Sequence, residues 1–222
     1  AHRRLHLRGG YPTASLNEMA ATSEVGVSRI ISGNLRGRRL AVPQSGTRPT
    51  SDRVKEALFS RLEHYELLDD ATVLDLYAGS GGLAFEALSR GAVRAVLVDI
   101  SAGAVRACRN NSANLGLKQQ TEVHQLKAEQ YLGRLAPAQA DAGTAEGEGL
   151  FDLVFLDPPY ALESADLAKV LDLLALPGML TSHGAIVLER DRRSSAVELP
   201  EGLVSFDERK YGDSAVWLLE RT

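Results

Sequence analysis

The stretch that decides the fold is Val-Leu-Asp-Leu-Tyr-Ala-Gly-Ser-Gly-Gly-Leu-Ala at residues 73–84, where an apolar run meets a helix-like pattern. Gly79, Gly81 and Ala84 satisfy the spacing G-x-G-x-x-G/A, and Asp99 follows Gly79 by twenty residues. Glycines at a strand-to-helix turn let a ligand approach the backbone, and a carboxylate after the second strand can accept two ribose hydroxyls. The stretch therefore predicts an α/β fold that binds a nucleoside-containing cofactor.

Short apolar runs and helical patterns alternate from residue 72 onward. The runs at 72–76, 95–98, 122–126, 150–156 and 185–188 are strand-like, and the segments 82–90, 101–115, 128–135 and 165–174 are helix-like. Such alternation implies right-handed crossovers and a mostly parallel sheet covered on both faces. Two further strand-like runs, 203–210 and 215–220, flank residues 211–214 and predict a C-terminal antiparallel hairpin. Together, the five parallel runs and the two hairpin strands predict a seven-stranded sheet.

Composition excludes several classes of protein. The chain is 44% hydrophobic and 24% charged, which is typical of a globular protein, and we find no apolar run of the ~20 residues that a membrane span needs. Cys108 is the only cysteine, so an internal disulfide and a multi-cysteine metal site are excluded. No zinc-ligand spacing, Ser/His/Asp set or P-loop lysine is present. We therefore expect a cytoplasmic monomer that does not associate with membranes and holds no metal.

Charge is distributed unevenly along the chain, although the net charge is only −4. Residues 29–61 carry eight basic residues against Asp52 and Glu56, whereas the rest of the chain is acidic. Residues 29–43 also have a hairpin pattern, with apolar ends around Gly33, Asn34 and Gly37. We divide the chain into a flexible extension (1–28), a basic N-terminal hairpin (29–52) and a main domain (53–222). The basic segment either docks a polyanion or is an ordinary solvated hairpin.

Asp75 discriminates between the cofactors that a glycine turn can bind. A dinucleotide sets its pyrophosphate against the helix N-terminus, where a nearby carboxylate would repel it. S-adenosylmethionine has no phosphate, and its methionine end carries an ammonium that the carboxylate can attract. Asp75 therefore favours S-adenosylmethionine over a flavin or nicotinamide. The alternative is that Asp75 is a helix-capping or turn aspartate.

The sequence Asp157-Pro158-Pro159-Tyr160 directly follows the apolar run at 150–156. An exocyclic amine on a nucleic-acid base is a poor nucleophile, and it needs acceptors that engage its N–H bonds. The Asp157 carboxylate and the Pro158 carbonyl are suited to this, because prolines hold their own backbone rigidly. Tyr160 offers a flat face for stacking of an extruded base. The alternative is that the two prolines merely end a strand and that Tyr160 is a packing residue.

Three stretches together resemble the RsmD family of 16S ribosomal RNA guanine-N2 methyltransferases. They are R-I-I-S-G-N-L-R-G-R-R-L with R-P-T-S-D-R-V-K-E-A-L-F within residues 29–59, D-L-Y-A-G-S-G-G at 75–82, and D-P-P-Y at 157–160. The resemblance implies a class I (Rossmann-like) methyltransferase fold and transfer of a methyl group from S-adenosylmethionine to the N2 amine of a guanine in 16S ribosomal RNA or the small subunit.

The resemblance also implies site residues. Catalytic residues would be Asp157, Pro158, Pro159 and Tyr160. Cofactor contacts would come from Asp75, Tyr77, Ala78, Gly79, Ser80, Gly81, Asp99, Ile100 and Ala128. The resemblance also places Thr50 and Arg53 near the methionine end of the cofactor or the substrate entrance. Together with the arginines that the charge pattern indicates, the predicted RNA contacts are Arg29, Arg36, Arg38, Arg39, Arg48, Thr50 and Arg53. Lys127 departs from the Asn or Asp that this family often has before the alanine. The alternatives are a DNA adenine-N6 methyltransferase and a non-catalytic nucleic-acid-binding protein on the same fold.

Overall fold

The computed structural model describes residues 28–43, 52–141, 149–159, 161–193 and 198–222. Its strands, in chain order, are β1 Ser28–Arg29, β2 Arg39–Leu40, β3 Thr72–Leu76, β4 Arg94–Asp99, β5 Thr121–Gln125, β6 Phe151–Leu156, β7 Leu180–Asp191, β8 Leu203–Tyr211 and β9 Ser214–Arg221. Its helices are α1 Asp52–His64, α2 Gly82–Ser89, α3 Ala102–Leu115, α4 Ala128–Asp141 and α5 Ser164–Leu174. The predicted alternation of strands and helices is confirmed.

Seven of these strands form one sheet in the order β5-β4-β3-β6-β7-β9-β8. Strands β3 to β7 are mutually parallel, whereas β9 pairs antiparallel with both β7 and β8. The chain leaves β3 toward β4 and β5 on one side and then returns to β6 on the other. The order of the strands therefore reverses between β3 and β6, and ligands gather in the crevice outside the carboxyl ends of strands at such a point.

Each face of the sheet is covered by its own hydrophobic core, because successive side chains of a strand point to opposite faces. One core contains Val73, Leu97 and Phe155 with residues of α1, α2 and α3. The other contains Leu76 and Leu188 with residues of α4 and α5. We call these the α1–α3 face and the α4–α5 face. Because side chains alternate between the two faces, only strand-end residues that point to the same face can contact one another.

The N-terminal hairpin predicted from residues 29–43 is confirmed, with strands of two residues each. β1 and β2 pair antiparallel, and the fully buried Ile30 joins the core of the α1–α3 face. Gly33 has a φ of 81°, and a Cβ on it would overlap the main chain of Ser89 at the end of α2. Only glycine allows the hairpin to lie this close to the helix.

Several elements differ in length from their sequence patterns. β7 spans Leu180–Asp191 rather than residues 185–188, because Leu180 already pairs with Phe151 of β6 ahead of a bulge and the last residues of β7 still pair with β9. α4 continues to Asp141 although its apolar pattern ends at residue 135, since the sequence that follows is rich in alanine. The last two strands reach Tyr211 and Ser214, so that only two residues form their turn. None of the helices described could cross a membrane.

Candidate active site

Three aspartates lie at the carboxyl ends of three adjacent parallel strands. Asp75 is near the end of β3, Asp99 ends β4, and Asp157 follows β6 directly. Asp75 pairs in register with Phe155, whose side chain belongs to the core of the α1–α3 face. The alternation along each strand places all three carboxylates on that face, beside the point where the strand order reverses. The sequence prediction that Asp157 lies next to the glycine turn is thus confirmed.

The glycine turn between β3 and α2 has an unusual backbone. Tyr77, Gly79 and Gly81 have φ values of 68°, 57° and 80°. A Cβ on Gly81 would overlap the ring of Phe85, so this position requires glycine for both its φ and its surroundings. Tyr77 is the one non-glycine of the three, and a left-handed backbone at a side chain of this size is uncommon enough to mark strain at a functional turn.

Asp75 holds the helix that follows the turn. Its Oδ2 accepts a hydrogen bond from the Ala84 N–H at 3.2 Å, in the first turn of α2, while Gly81 at the N-cap has no side chain to do so. Burial, with the nearby charges of Asp157 and Asp99, raises the pKa of Asp75 to about 8, although the Ala84 hydrogen bond opposes this. The helix-capping interpretation of Asp75 is therefore confirmed.

Capping gives Asp75 a hydrogen-bond donor but no cation. The side chain is 2% exposed, and no Lys, Arg or His of the described residues forms an ion pair with it. A buried carboxylate without a cation is costly unless a positive group is supplied. The ammonium of a methionine moiety would be such a group, so this residue fits the proposed cofactor as well as the helix.

Asp99 connects the turn to the next helix. Its Oδ2 accepts a hydrogen bond from the Gly79 N–H at 2.9 Å, and its Oδ1 accepts one from the Ser101 N–H at 2.8 Å. A carboxylate has about four acceptor sites, so each oxygen keeps one for a ligand hydroxyl. The neighbouring Ile100 is 60% exposed, and an apolar side chain this open beside Asp99 suits the flat face of a purine.

Asp157 is partly buried and precedes two prolines of different exposure. Pro158 is buried and Pro159 is exposed. Burial and then the charge of Glu189 raise the pKa of Asp157 to about 7. An acceptor with a pKa near neutrality can both hold an N–H and take up its proton. Tyr160, Arg48 and Thr50 lie outside the described residues, as do residues 1–27 of the predicted extension.

The other predicted cofactor contacts divide between the two faces. Ala78 is buried and its N–H donates to the Val98 carbonyl, while the Ser80 carbonyl accepts from Nδ2 of Asn111 at 2.9 Å. Tyr77 packs on the α4–α5 face, where burial raises the pKa of its hydroxyl to about 12. Ala128 is buried at the start of α4. Lys127 is exposed, so its side chain does not enter the core.

The sequence pattern missed three residues around the site. Glu189 and Arg190 lie on β7, and Asn111 on α3 accepts from the Ala41 N–H and donates to the Ala41 carbonyl. Asn111 thereby joins the hairpin to the Ser80 carbonyl of the glycine turn. The only signal for Glu189 and Arg190 in the sequence is a pair of charged residues at the end of an apolar strand. Whether such residues lie near the site depends on which strand is adjacent, and the sequence does not show that.

The predicted RNA-binding arginines are exposed, but they are not equally free. Nε of Arg29 is 2.8 Å from Oδ2 of Asp52, and Nη2 of Arg38 donates to the Asn114 carbonyl at the end of α3 at 2.6 Å. The side chains of Arg36 and Arg39 form no hydrogen bond or ion pair within the described ranges. Arg53 is also exposed, on α1. The hairpin thus presents two arginines without partners among the described residues, Arg36 and Arg39. Beside them are Arg29 and Arg38, whose side chains contact the first residue of α1 and the end of α3.

Comparisons with known proteins agree with this geometry. The family model described as conserved hypothetical protein 95 matches residues 28–220. Ribosomal RNA small subunit methyltransferase D of Escherichia coli K12 is 34% identical over 197 residues, covering 88% of this chain and 91% of that protein. The YlbH protein of Bacillus subtilis is 39% identical over 87% of this chain and 98% of its own.

Among solved structures, that of yhhF from Escherichia coli superposes with a TM-score of 0.73 at 32% identity, covering 88% of this chain and 98% of that one. The structural neighbours share the class I methyltransferase fold, which agrees with the sheet order and the C-terminal hairpin described above. Since the match spans both the basic hairpin and the Asp157 strand, the chain belongs to the RsmD family.

Proposed function

We propose that this protein transfers a methyl group from S-adenosylmethionine to the exocyclic N2 amine of a guanine in 16S ribosomal RNA of the small subunit. The observation that carries the proposal is the position of Asp157, which follows β6 next to the glycine turn with a pKa raised to about 7. The name of the Escherichia coli relative supports ribosomal RNA as the substrate.

The residues of the chain have distinct tasks in this reaction. S-adenosylmethionine supplies an electrophilic methyl group when it is bound. Asp75 would attract the methionine ammonium, and Asp99 would accept the ribose hydroxyls with its two remaining acceptor sites. Tyr77, Ala78, Gly79, Ser80, Gly81, Ile100 and Ala128 would line the rest of this cofactor site.

The acceptor side is built from the Asp157 strand end. The Asp157 carboxylate and the Pro158 carbonyl would accept the two N–H bonds of the guanine amine, which draws the nitrogen lone pair toward the methyl group. Pro159 would keep this segment rigid, and Tyr160 would stack on the base. Preorganised acceptors of this kind are worth most where water is excluded, and both Asp75 and Pro158 are buried.

The substrate side includes the hairpin. Arg29, Arg36, Arg38, Arg39, Arg48, Thr50 and Arg53 would hold RNA phosphates, which position a nucleic acid without reading its sequence. The segments 29–52 and 53–222 would act as an RNA-docking hairpin and a methyltransferase domain. We also propose that the protein acts in the cytoplasm as a monomer.

The decisive experiment compares acceptor nucleosides. Purified protein and isotopically labelled S-adenosylmethionine are incubated with small subunits from a strain that lacks the gene, with free 16S RNA and with double-stranded DNA. After digestion, mass spectrometry should find the label in N2-methylguanosine from small-subunit RNA. Label in N6-methyladenine from DNA would establish the alternative specificity, and no transfer to any acceptor would establish a binding protein.

A further inference from the structure

Asn111 on α3 binds two separate segments of the chain with one side-chain amide. Its Oδ1 accepts a hydrogen bond from the Ala41 N–H at 2.8 Å, and its Nδ2 donates to the Ala41 carbonyl and the Ser80 carbonyl, both at 2.9 Å. Ala41 directly follows β2 of the hairpin, and Ser80 lies in the glycine turn. Asn111 is only 1% exposed, so its amide depends on these partners instead of water.

The orientation of this amide follows from its partners. A side-chain amide has two N–H donors and one acceptor oxygen, and both donors of Asn111 are in use. Turning the amide over would set its oxygen against the carbonyls of Ala41 and Ser80, which can only accept hydrogen bonds. Because a buried polar group that loses its partner costs free energy, the amide holds the hairpin and the turn in one fixed arrangement.

The same face of α3 also orients the backbone of the glycine turn. Cys108 lies three positions before Asn111, and its buried thiol donates to the Gly79 carbonyl at 3.3 Å. Across a trans peptide, the carbonyl of one residue and the N–H of the next point in opposite directions. The two contacts therefore direct the Ser80 and Gly81 N–H groups away from α3. The turn that would hold the methyl donor thus shares its support with the hairpin.

The other anchors of the hairpin do not reach this turn. Glu86 and Ser89 lie further along α2 and accept hydrogen bonds from hairpin N–H groups. Arg38 contacts a carbonyl at the end of α3. Among the described residues, Asn111 is the one side chain that forms hydrogen bonds with both the hairpin and the turn.

We propose that Asn111 is a positioning residue that couples the docking of RNA on the hairpin to the binding of S-adenosylmethionine at the glycine turn. The inference rests on the proposed function and deepens it, since it concerns how the two substrates of that reaction bind together. RNA phosphates on the hairpin arginines restrict the hairpin, and because Ala41 is bonded to the amide, they also restrict the group that orients the Ser80 carbonyl. A segment already ordered by one ligand costs the second ligand less.

The test measures this coupling by equilibrium binding and not by turnover. The affinity for small subunits from a strain that lacks the gene is measured with and without saturating S-adenosylhomocysteine. The affinity for S-adenosylhomocysteine is measured with and without saturating subunits. This ligand has no methyl group to transfer, so the RNA stays unmodified. We expect each ligand to tighten the binding of the other by the same factor, about 5-fold or more in the wild type.

The decisive variant is Asn111→Asp, with Asn110→Asp on the exposed side of α3 as the control. Both changes add the same charge. Aspartate at position 111 keeps the acceptor for the Ala41 N–H, but it offers no donor to the two carbonyls. We expect Asn111→Asp to lower the coupling below about 2-fold and Asn110→Asp to keep the wild-type factor. Asn111→Ala adds no charge and favours the helix, and it should lose the coupling as well.

Ser89→Ala separates coupling from simple attachment of the hairpin. The change removes the acceptor of the Leu35 N–H and a donor to the Ser32 carbonyl, but it leaves the contacts of the glycine turn intact. We expect weaker binding of the subunits with an unchanged coupling factor. A role of Asn111 in stability alone would not distinguish these variants in this way.

Three results would overturn the inference: binding of both ligands by the wild type without coupling, wild-type coupling in both Asn111 variants, or an equal loss of coupling in Ser89→Ala. A wild-type protein that binds both ligands cooperatively but methylates no guanine of 16S RNA would refute the proposed function and leave the coupling by Asn111 in place.

Discussion

Asp75 and Glu86 are both buried carboxyl groups that accept hydrogen bonds from backbone N–H groups, yet within the described residues only Glu86 is paired with cations. Glu86 on α2 is fully buried and accepts hydrogen bonds from the N–H groups of Ile31 and Ser32 at 2.8 and 3.0 Å. Nε of Arg90 lies 2.8 Å from it. Asp75 accepts the Ala84 N–H but has no cation within the described residues.

The difference separates a structural carboxylate from one available to a ligand. Lys55, whose pKa is lowered by burial despite Glu86, adds a second cation on the hairpin side at 3.6 Å. The hairpin is therefore anchored through its backbone, which leaves its arginines facing outward. At the ends of β3, β4 and β6, by contrast, the aspartates have no cation among the described residues and can interact with a positively charged ligand. Substitutions on each side of this contrast should therefore have different effects.

The largest effect is expected from Glu86→Ala. The change leaves Arg90, Lys55 and two N–H groups of the hairpin without their buried acceptor. Breaking a buried charge pair by removing one partner should lower the free energy of unfolding by about 3–5 kcal/mol. Urea denaturation measures this. The matched control is Glu56→Ala, which removes an exposed partner of Arg90 and should change stability by less than about 1 kcal/mol. Similar effects of both changes would mean that burial does not set Glu86 apart.

Asp157→Ala should abolish most of the methyl transfer. Loss of one preorganised electrostatic partner lowers the rate by about 10²–10³-fold. Calorimetry should show wild-type affinity for S-adenosylmethionine, because Asp75, Asp99 and the glycine turn are unchanged. Turnover near that of the wild type would contradict the role of Asp157 as the amine acceptor.

Asp75→Asn tests the buried carboxyl group that has no cation partner among the described residues. Asparagine can still accept the Ala84 N–H, but it cannot attract an ammonium. We expect cofactor affinity to weaken by about 1–3 kcal/mol, as for removal of a charge-assisted hydrogen bond.

The pH dependence of stability adds a second readout. The pKa of Asp75 is raised from 3.8 to about 8 on folding, so the native state binds more protons in that window. The stability that protonated Asp75 contributes is thus lost as the pH rises through about 8, and Asp75→Asn should remove this loss. Unchanged cofactor affinity, or an unchanged pH dependence of unfolding, would count against an ionisable Asp75 at the cofactor site.

The smallest effect per residue is expected on the hairpin surface, where Arg36, Arg38 and Arg39 are changed together to Ala. RNA binding should weaken, and its dependence on log salt should become shallower by about 0.7 to 0.9 for each phosphate that is no longer neutralised, the lower value being that of single strands. The control changes Arg134, Lys169 and Arg221, three exposed cations on the α4–α5 face, to Ala. An equal effect of both triple changes would show general attraction, and no effect of the first would place RNA docking elsewhere.

The sequence alone determined the order of the elements and the identity of the glycine turn. β3 has the predicted bounds, because five apolar or alternating residues before a glycine turn allow little else. Asp99 was found from its spacing to Gly79, since the length of a βαβ unit determines that distance. The hairpin was found from Gly33 and Gly37, whose φ values are 81° and 80°.

Only the tertiary structure decided which charges are neutralised. Glu86 is an ordinary helix residue in the sequence. Arg90 lies one turn further along the same helix, but the N–H groups that Glu86 accepts come from the hairpin 54 to 55 positions earlier. Glu189 acquires meaning only because β7 pairs with β6, which places it next to Asp157. Local patterns determine secondary structure through short-range periodicity. The protonation state of a carboxyl depends instead on burial and on charges that only the folded sheet brings together.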